Sequence, residues 1–68
     1  MAMQVEVFSN DHDDVARWIL EFESVPRVGE YLALDSGDFL SHYDVIEVWY
    51  RQDGAGPMRA CIRVRLDD

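Results

Sequence analysis

The sequence predicts an α+β fold in the order β-α-β-β-β: a small, strongly curled antiparallel sheet of about four strands with one amphipathic helix packed on it. Three observations lead there. Four segments alternate apolar and polar residues with the period of a strand, and one segment spaces its apolar residues as a helix does. With 68 residues, the chain has room for one thin core, so residues 1–68 form a single domain. A sheet this short curls, because twist lets a single helix cover its apolar face.

The first strand is Met3 to Phe8, where Met3, Val5 and Val7 alternate with Gln4, Glu6 and Phe8. Ser9-Asn10-Asp11 breaks the alternation. Ser9 or Asn10 can cap a helix, and Asp11, Asp13 and Asp14 suit its positive N-terminal end. Val15, Trp18, Ile19 and Phe22 then fall at i, i+3, i+4 and i+7, one apolar stripe, while Asp13 with Arg17 and Arg17 with Glu21 make i, i+4 pairs on the far side. Pro26 ends the helix, since Val25 before it is pushed toward extended geometry. A second strand runs from Val28 to Leu34 and is followed by the loop Asp35-Ser36-Gly37-Asp38. The third strand, Tyr43 to Arg51, sets Ile46, Val48 and Tyr50 against Val45, Glu47 and Trp49. The turn Asp53-Gly54-Ala55-Gly56-Pro57 leads from it into the fourth, Met58 to Leu66. Matching apolar faces across this hairpin pairs Tyr50 with Ala60, Val48 with Ile62 and Ile46 with Val64, and sets Glu47 beside Arg63 and Trp49 beside Cys61. The core then consists of Val15, Trp18, Ile19 and Phe22 on Val5, Val7, Ile46, Val48, Ile62 and Val64.

Composition narrows function. Fourteen Asp and Glu stand against six arginines and no lysine, for a formal net charge of −8. That balance argues against direct binding to nucleic acid or to an anionic membrane, both of which need clustered cations. The charge is also uneven: residues 1–50 hold eleven acids and two arginines, residues 51–68 three acids and four arginines. Arg59, Arg63 and Arg65 form a stripe on the fourth strand whose expected role is to pair acids or cover apolar surface. Cys61 is the only cysteine and closes no intrachain disulfide, and no apolar run approaches the ~18 residues of a membrane span, so a cytoplasmic location is expected.

The residue types of Asp11-His12-Asp13-Asp14, with His42 and Asp44, are those of metal ligands, but at most two of four consecutive helical side chains converge on one ion, and helix-start acids are the ordinary reading. Asp35 to Asp38 resembles part of a calcium loop and lacks its remaining acidic ligands and closing Glu. No serine stands in a nucleophile elbow, no glycine-rich phosphate loop precedes a helix, and no pair of acids has apolar surroundings that raise a pKa. Neither an enzyme nor a cofactor or metal site is expected. Tyr31, Tyr43 and Trp49 are the candidate interface aromatics.

The run Val25-Pro26-Arg27-Val28-Gly29-Glu30-Tyr31, with Tyr43 to Trp49 and the closing alternation Ile62 to Leu66, resembles a pattern in small bacterial and phage proteins with SH3-like curled sheets, and implies an SH3-like partial barrel. The helix expected at Asp11 to Phe22 departs from the all-strand version of that pattern. In size, acidity and mixed layout the chain also looks like the anti-CRISPR proteins, among them those directed at type I-C effectors. Because these inhibitors share no common motif, the resemblance assigns no residue; it implies a phage-encoded, non-enzymatic inhibitor that blocks target DNA recognition in the cytoplasm of a bacterial host.

The charge by itself admits the same reading. Duplex DNA carries one charge per ~1.7 Å of axis, so a body roughly 28 Å across spans about sixteen phosphates. Fourteen carboxylates on one small domain supply a comparable density, suited to a basic DNA-binding surface such as that of a CRISPR effector subunit. The expected interface acids are Asp11, Asp13, Asp14, Asp35, Asp38 and Asp44, presented by a monomer. The alternative is a small structural or accessory β-module of phage origin that binds through an apolar edge.

Overall fold

Val5 and Val7 on one side of the first strand and Glu6 and Phe8 on the other are all buried, which places that strand in the interior of a sheet. The computed structural model describes residues 2–9, 15–35 and 37–67. Five strands follow in chain order: β1 Met3–Phe8, β2 Trp18–Phe22, β3 Tyr31–Asp35, β4 Leu40–Arg51 and β5 Arg59–Leu66. They form one sheet in the order β2-β1-β5-β4-β3, curled into a half-barrel. The body measures 40 × 29 × 22 Å, with a radius of gyration of 12.2 Å.

The class is therefore all-β, not α+β. Among the described residues there is no helix, and the C-terminal half of the expected helix is β2, antiparallel to β1 with Val7 opposite Trp18 and Met3 opposite Phe22. The expected N-terminal cap at Asn10 and the acids Asp11, Asp13 and Asp14 lie outside the described residues. The reason for the difference is a shared spacing: Trp18 and Phe22, four apart, share a face in a helix and in a strand alike. What separates the two periods is the residue between them. Leu20 packs against the core with Trp18 and Phe22, whereas Ile19 and Val15 are 62% and 77% exposed. The Trp-Ile-Leu-Glu-Phe run has the aromatic and β-branched content of a strand, and as β2 it hydrogen-bonds the side of β1 left open by β5.

Two further expectations are corrected. The sheet has five strands and is mixed, because β1 and β5 run parallel, Val5 opposite Ala60 and Val7 opposite Ile62. Both are buried on two faces, so they take the central places whatever their separation in the chain. In the β4–β5 hairpin, Tyr50, Val48, Glu47 and Trp49 face Ala60, Ile62, Arg63 and Cys61 as the matching of faces predicts. Val64, however, pairs with Val45 and not with Ile46. The register shift between Val45 and Glu47 leaves Ile46 as the extra residue of a β-bulge. A regular strand would send Val45 and Val48, three apart, to opposite faces; the bulge brings Tyr43, Val45 and Val48 onto the same core.

That core lies on the concave face: Val5, Val7, Val45, Ala60, Ile62 and Val64, flanked by Trp18, Leu20, Phe22 and Leu32. Curling replaces the missing helix, since the outer strands β2 and β3 fold their apolar residues over the central ones. Strand ends shift slightly. β3 begins at Tyr31 because Val28-Gly29 forms a turn with Gly29 at φ 98°, a conformation that favours glycine. The 53–57 turn is closed by Gly56 N–H to the Asp53 carbonyl (3.2 Å) and by Gln52 Nε2 to the Gly56 carbonyl (2.6 Å).

Candidate functional site

The convex face decides where charge is available. Glu6, 9% exposed at the centre of the sheet, accepts hydrogen bonds from Arg51 (Nη2 to Oε1, 2.9 Å) and Arg59 (Nη1 to Oε2, 3.4 Å); Arg59 also reaches Asp53 at 3.4 Å. Arg63 donates to Glu47 (3.1 Å) and to the Ser9 carbonyl (3.1 Å), and its guanidinium lies 5.4 Å from the Trp49 ring centre and 5.7 Å from that of Phe8. Phe8 and Trp49 in turn meet at 5.1 Å. Among the described residues no second layer packs on this side, and planar guanidinium groups act as its lid, covering aromatic surface while their edges hold carboxylates. Beneath them Cys61 is fully buried, and burial pushes its thiol above the ordinary range, reinforced by Glu6 and opposed by Arg51 and Arg59. It is a packed structural thiol.

Arg51, Arg59 and Arg63 are thus matched by Glu6, Glu47 and Asp53. The eleven other acids of the sequence stand against Arg17, Arg27 and Arg65, so the net charge of −8 is carried by residues outside these ion pairs; of them, Asp44 and Arg65 stand opposite each other across β4 and β5. The densest described stretch of that charge is β3, β4 and their connection. Residues 28–50 hold, besides the paired Glu47, the acids Glu30, Asp35, Asp38 and Asp44, and neither lysine nor arginine.

The expected interface acids divide into groups. Asp35 and Asp38 come together at the β3–β4 connection, both exposed; Asp35 ends β3 opposite Leu40, and its Oδ1 accepts the Gly37 N–H at 2.8 Å, which holds the turn. Asp44 is elsewhere. It sits half-buried opposite Tyr31, four residues up the strand from Leu40 and so roughly 13 Å away along β4. There it lines a shallow concavity of about 300 Å³ with Tyr31, His42 and Asp67. Asp67 is a neighbour that sequence reasoning missed: its N–H donates to the His42 carbonyl at 2.8 Å, a contact set by how β5 leaves the sheet. Glu30 was also missed; it is exposed, and its carboxylate accepts the Arg27 N–H at 2.6 Å. Its position just before an alternating run was the available signal. Asp11, Asp13 and Asp14 lie outside the described residues.

Of the three candidate interface aromatics, only Tyr31 stands free, 69% exposed and edge-on to His42 at 6.0 Å. Tyr43 packs on the core, edge-on to Trp18 at 5.4 Å, and Trp49 lies under Arg63. A second concavity, of about 310 Å³, has Trp18, Tyr43, Arg17 and Arg65 on its walls. Among the described residues no group of three or more His, Cys, Asp or Glu is placed to hold a metal ion. Compared with known protein families, with characterised proteins and with solved structures, the chain matches none.

Proposed function

We propose that this chain is an acidic, DNA-mimicking inhibitor: a monomeric, non-catalytic protein that occupies a basic DNA-binding surface on a partner, of the kind a CRISPR effector subunit presents, in the cytoplasm of a bacterial host. The observation that carries this reading is the neutralisation of the convex face. By engaging Arg51, Arg59 and Arg63 internally, the fold leaves Glu30, Asp35 and Asp38 exposed along the β3 edge and the β3–β4 connection, with Asp44 half-buried opposite Arg65. A duplex as long as the 40 Å body carries about 24 phosphates, and the eleven remaining acids reach about half that density.

A second reading draws on the same hairpin. Val28, Tyr31, Phe39 and Leu40 are 58–69% exposed, which favours an accessory β-module that binds through apolar contacts. The two separate by salt and by mutation. The immobilised chain is used to capture proteins from a bacterial lysate at about 50 and 200 mM salt, with and without competing duplex DNA. Charge mimicry predicts capture that falls steeply over that range and is displaced by DNA. It also predicts that changing Asp35, Asp38 and Asp44 together to Asn weakens binding about tenfold or more, with thermal stability unchanged. Capture indifferent to salt, to DNA and to the triple change, yet lost in Tyr31→Ala, overturns mimicry in favour of the apolar module.

A further inference from the structure

The half-barrel ends in two edge strands, β2 and β3, and they differ in what they can accept. Just before β3 the Glu30 carbonyl accepts the Val45 N–H at 2.9 Å, so by the antiparallel alternation the even-numbered residues of β3 turn their backbone groups toward β4. The N–H and C=O groups of Tyr31, Ala33 and Asp35 therefore point outward, and among the described residues no hydrogen bond engages them. Natural sheets blunt such edges with lysine, proline, bulges or a covering element. Within β3 none of these is present: it reads Tyr-Leu-Ala-Leu-Asp, and the bulges of its sheet lie outside it, at Ile46 in β4 and at Gly29-Glu30, which oppose Val45 just before β3 begins. Among the described residues its guard is negative charge, with Glu30 before it, Asp35 at its end and Asp38 beyond. Acids repel a second copy of a chain with net charge −8, and they attract a cationic strand. β2 is less suited, because Arg17 stands at its start, 5.6 Å over the Trp18 ring.

We propose that β3 receives an extended, arginine- or lysine-bearing segment of the protein partner by strand addition, its backbone bonding Tyr31, Ala33 and Asp35. This rests on the reading of the hairpin as the partner-binding surface and adds the mode of contact. Side-chain alternation specifies the occupant. Residues beside the half-buried Leu32 and Leu34 are apolar, extending the concave core at its rim, and residues beside exposed Tyr31, Ala33 and Asp35 are cationic. Tyr31 offers a ring face and Asp35 a carboxylate to those cations.

The probe is a blocked hexapeptide of alternating arginine and valine, titrated into the whole chain. Strand addition predicts slowed hydrogen exchange, by tenfold or more, at the outward amides of Tyr31, Ala33 and Asp35, with little change at Leu32 and Leu34. It predicts at least a tenfold loss of affinity when alternate peptide nitrogens are methylated, a change that keeps the charge and removes one edge of donors. Ala33→Pro removes an outward N–H at a position that spares the β4 ladder, and the same loss is expected there. Equal affinity of the methylated and unmethylated peptides, measured on the unaltered chain, overturns the proposal even if the proline variant fails to fold. Lysate capture tells the two readings apart. Capture lost in the Asp35, Asp38, Asp44 triple variant and intact in folded Ala33→Pro removes strand addition and leaves charge mimicry standing. The opposite pattern keeps the edge and removes mimicry.

Discussion

Replacing Arg63 with Ala tests whether the arginines of the convex face are part of the fold or reserved for a ligand. The side chain makes four contacts of different worth. Its ion pair is to Glu47, whose side chain is 59% exposed, so solvent screening holds that term to about 0.5 kcal/mol. The hydrogen bond to the Ser9 carbonyl is part-buried and contributes about 1 kcal/mol. Stacking over Phe8 and Trp49 adds about 0.5 kcal/mol for each ring, and removing the lid exposes some of both. The expected loss is about 2–3 kcal/mol, from a domain whose whole stability is on the order of 3–10 kcal/mol. Urea unfolding followed by tryptophan fluorescence measures it directly. Glu47→Gln should cost under about 1 kcal/mol, because only the screened pair is lost. Arg63→Lys should fall between the two variants, since it keeps the charge and loses the planar stack. An Arg63→Ala variant within about 0.5 kcal/mol of the parent would falsify the lid and return these arginines to the pool available for an anionic ligand.

Two more perturbations probe the fold. Leu20→Ala should destabilise by about 2 kcal/mol and Ile19→Ala by under about 0.5 kcal/mol, because in β2 only the former faces the core; thermal melts showing the reverse order restore the helix. Cys61 should react with a thiol reagent at neutral pH only as fast as the protein unfolds, so a native-state rate that ignores added stabilising salt contradicts its burial. Because its pKa is raised in the folded state, the unfolded chain ionises first. The contribution of the neutral buried thiol is complete below about pH 8.5 and declines as pH rises above it. The melting temperature of the parent should accordingly fall more between about pH 7.5 and 9.5 than that of Cys61→Ala.

Much of the local structure was legible in the residues. Alternation located four of the five strands to within a few positions, and face matching set the register from Glu47 to Tyr50 against Ala60 to Arg63. The role of the arginine stripe was legible too, because guanidinium groups opposite an acid and aromatics in a −8 chain have an obvious use. The second element was misread at a single ambiguity. A four-residue spacing of Trp18 and Phe22 is common to both periods, and a run of acids before an apolar stripe has the composition of a helix start.

The sequence alone determined which residues are apolar, where the chain turns and how much charge it must carry, since alternation, glycine, proline and acid counts are local properties. Only the tertiary structure decided that β1 lies parallel to β5, that Ile46 bulges, that Asp44 and Asp67 line one concavity, and that β3 is left as an open edge. Those outcomes depend on pairings between segments far apart in the chain. The burial of β1 and β5 on both faces sets them, and no window along the sequence contains both partners at once.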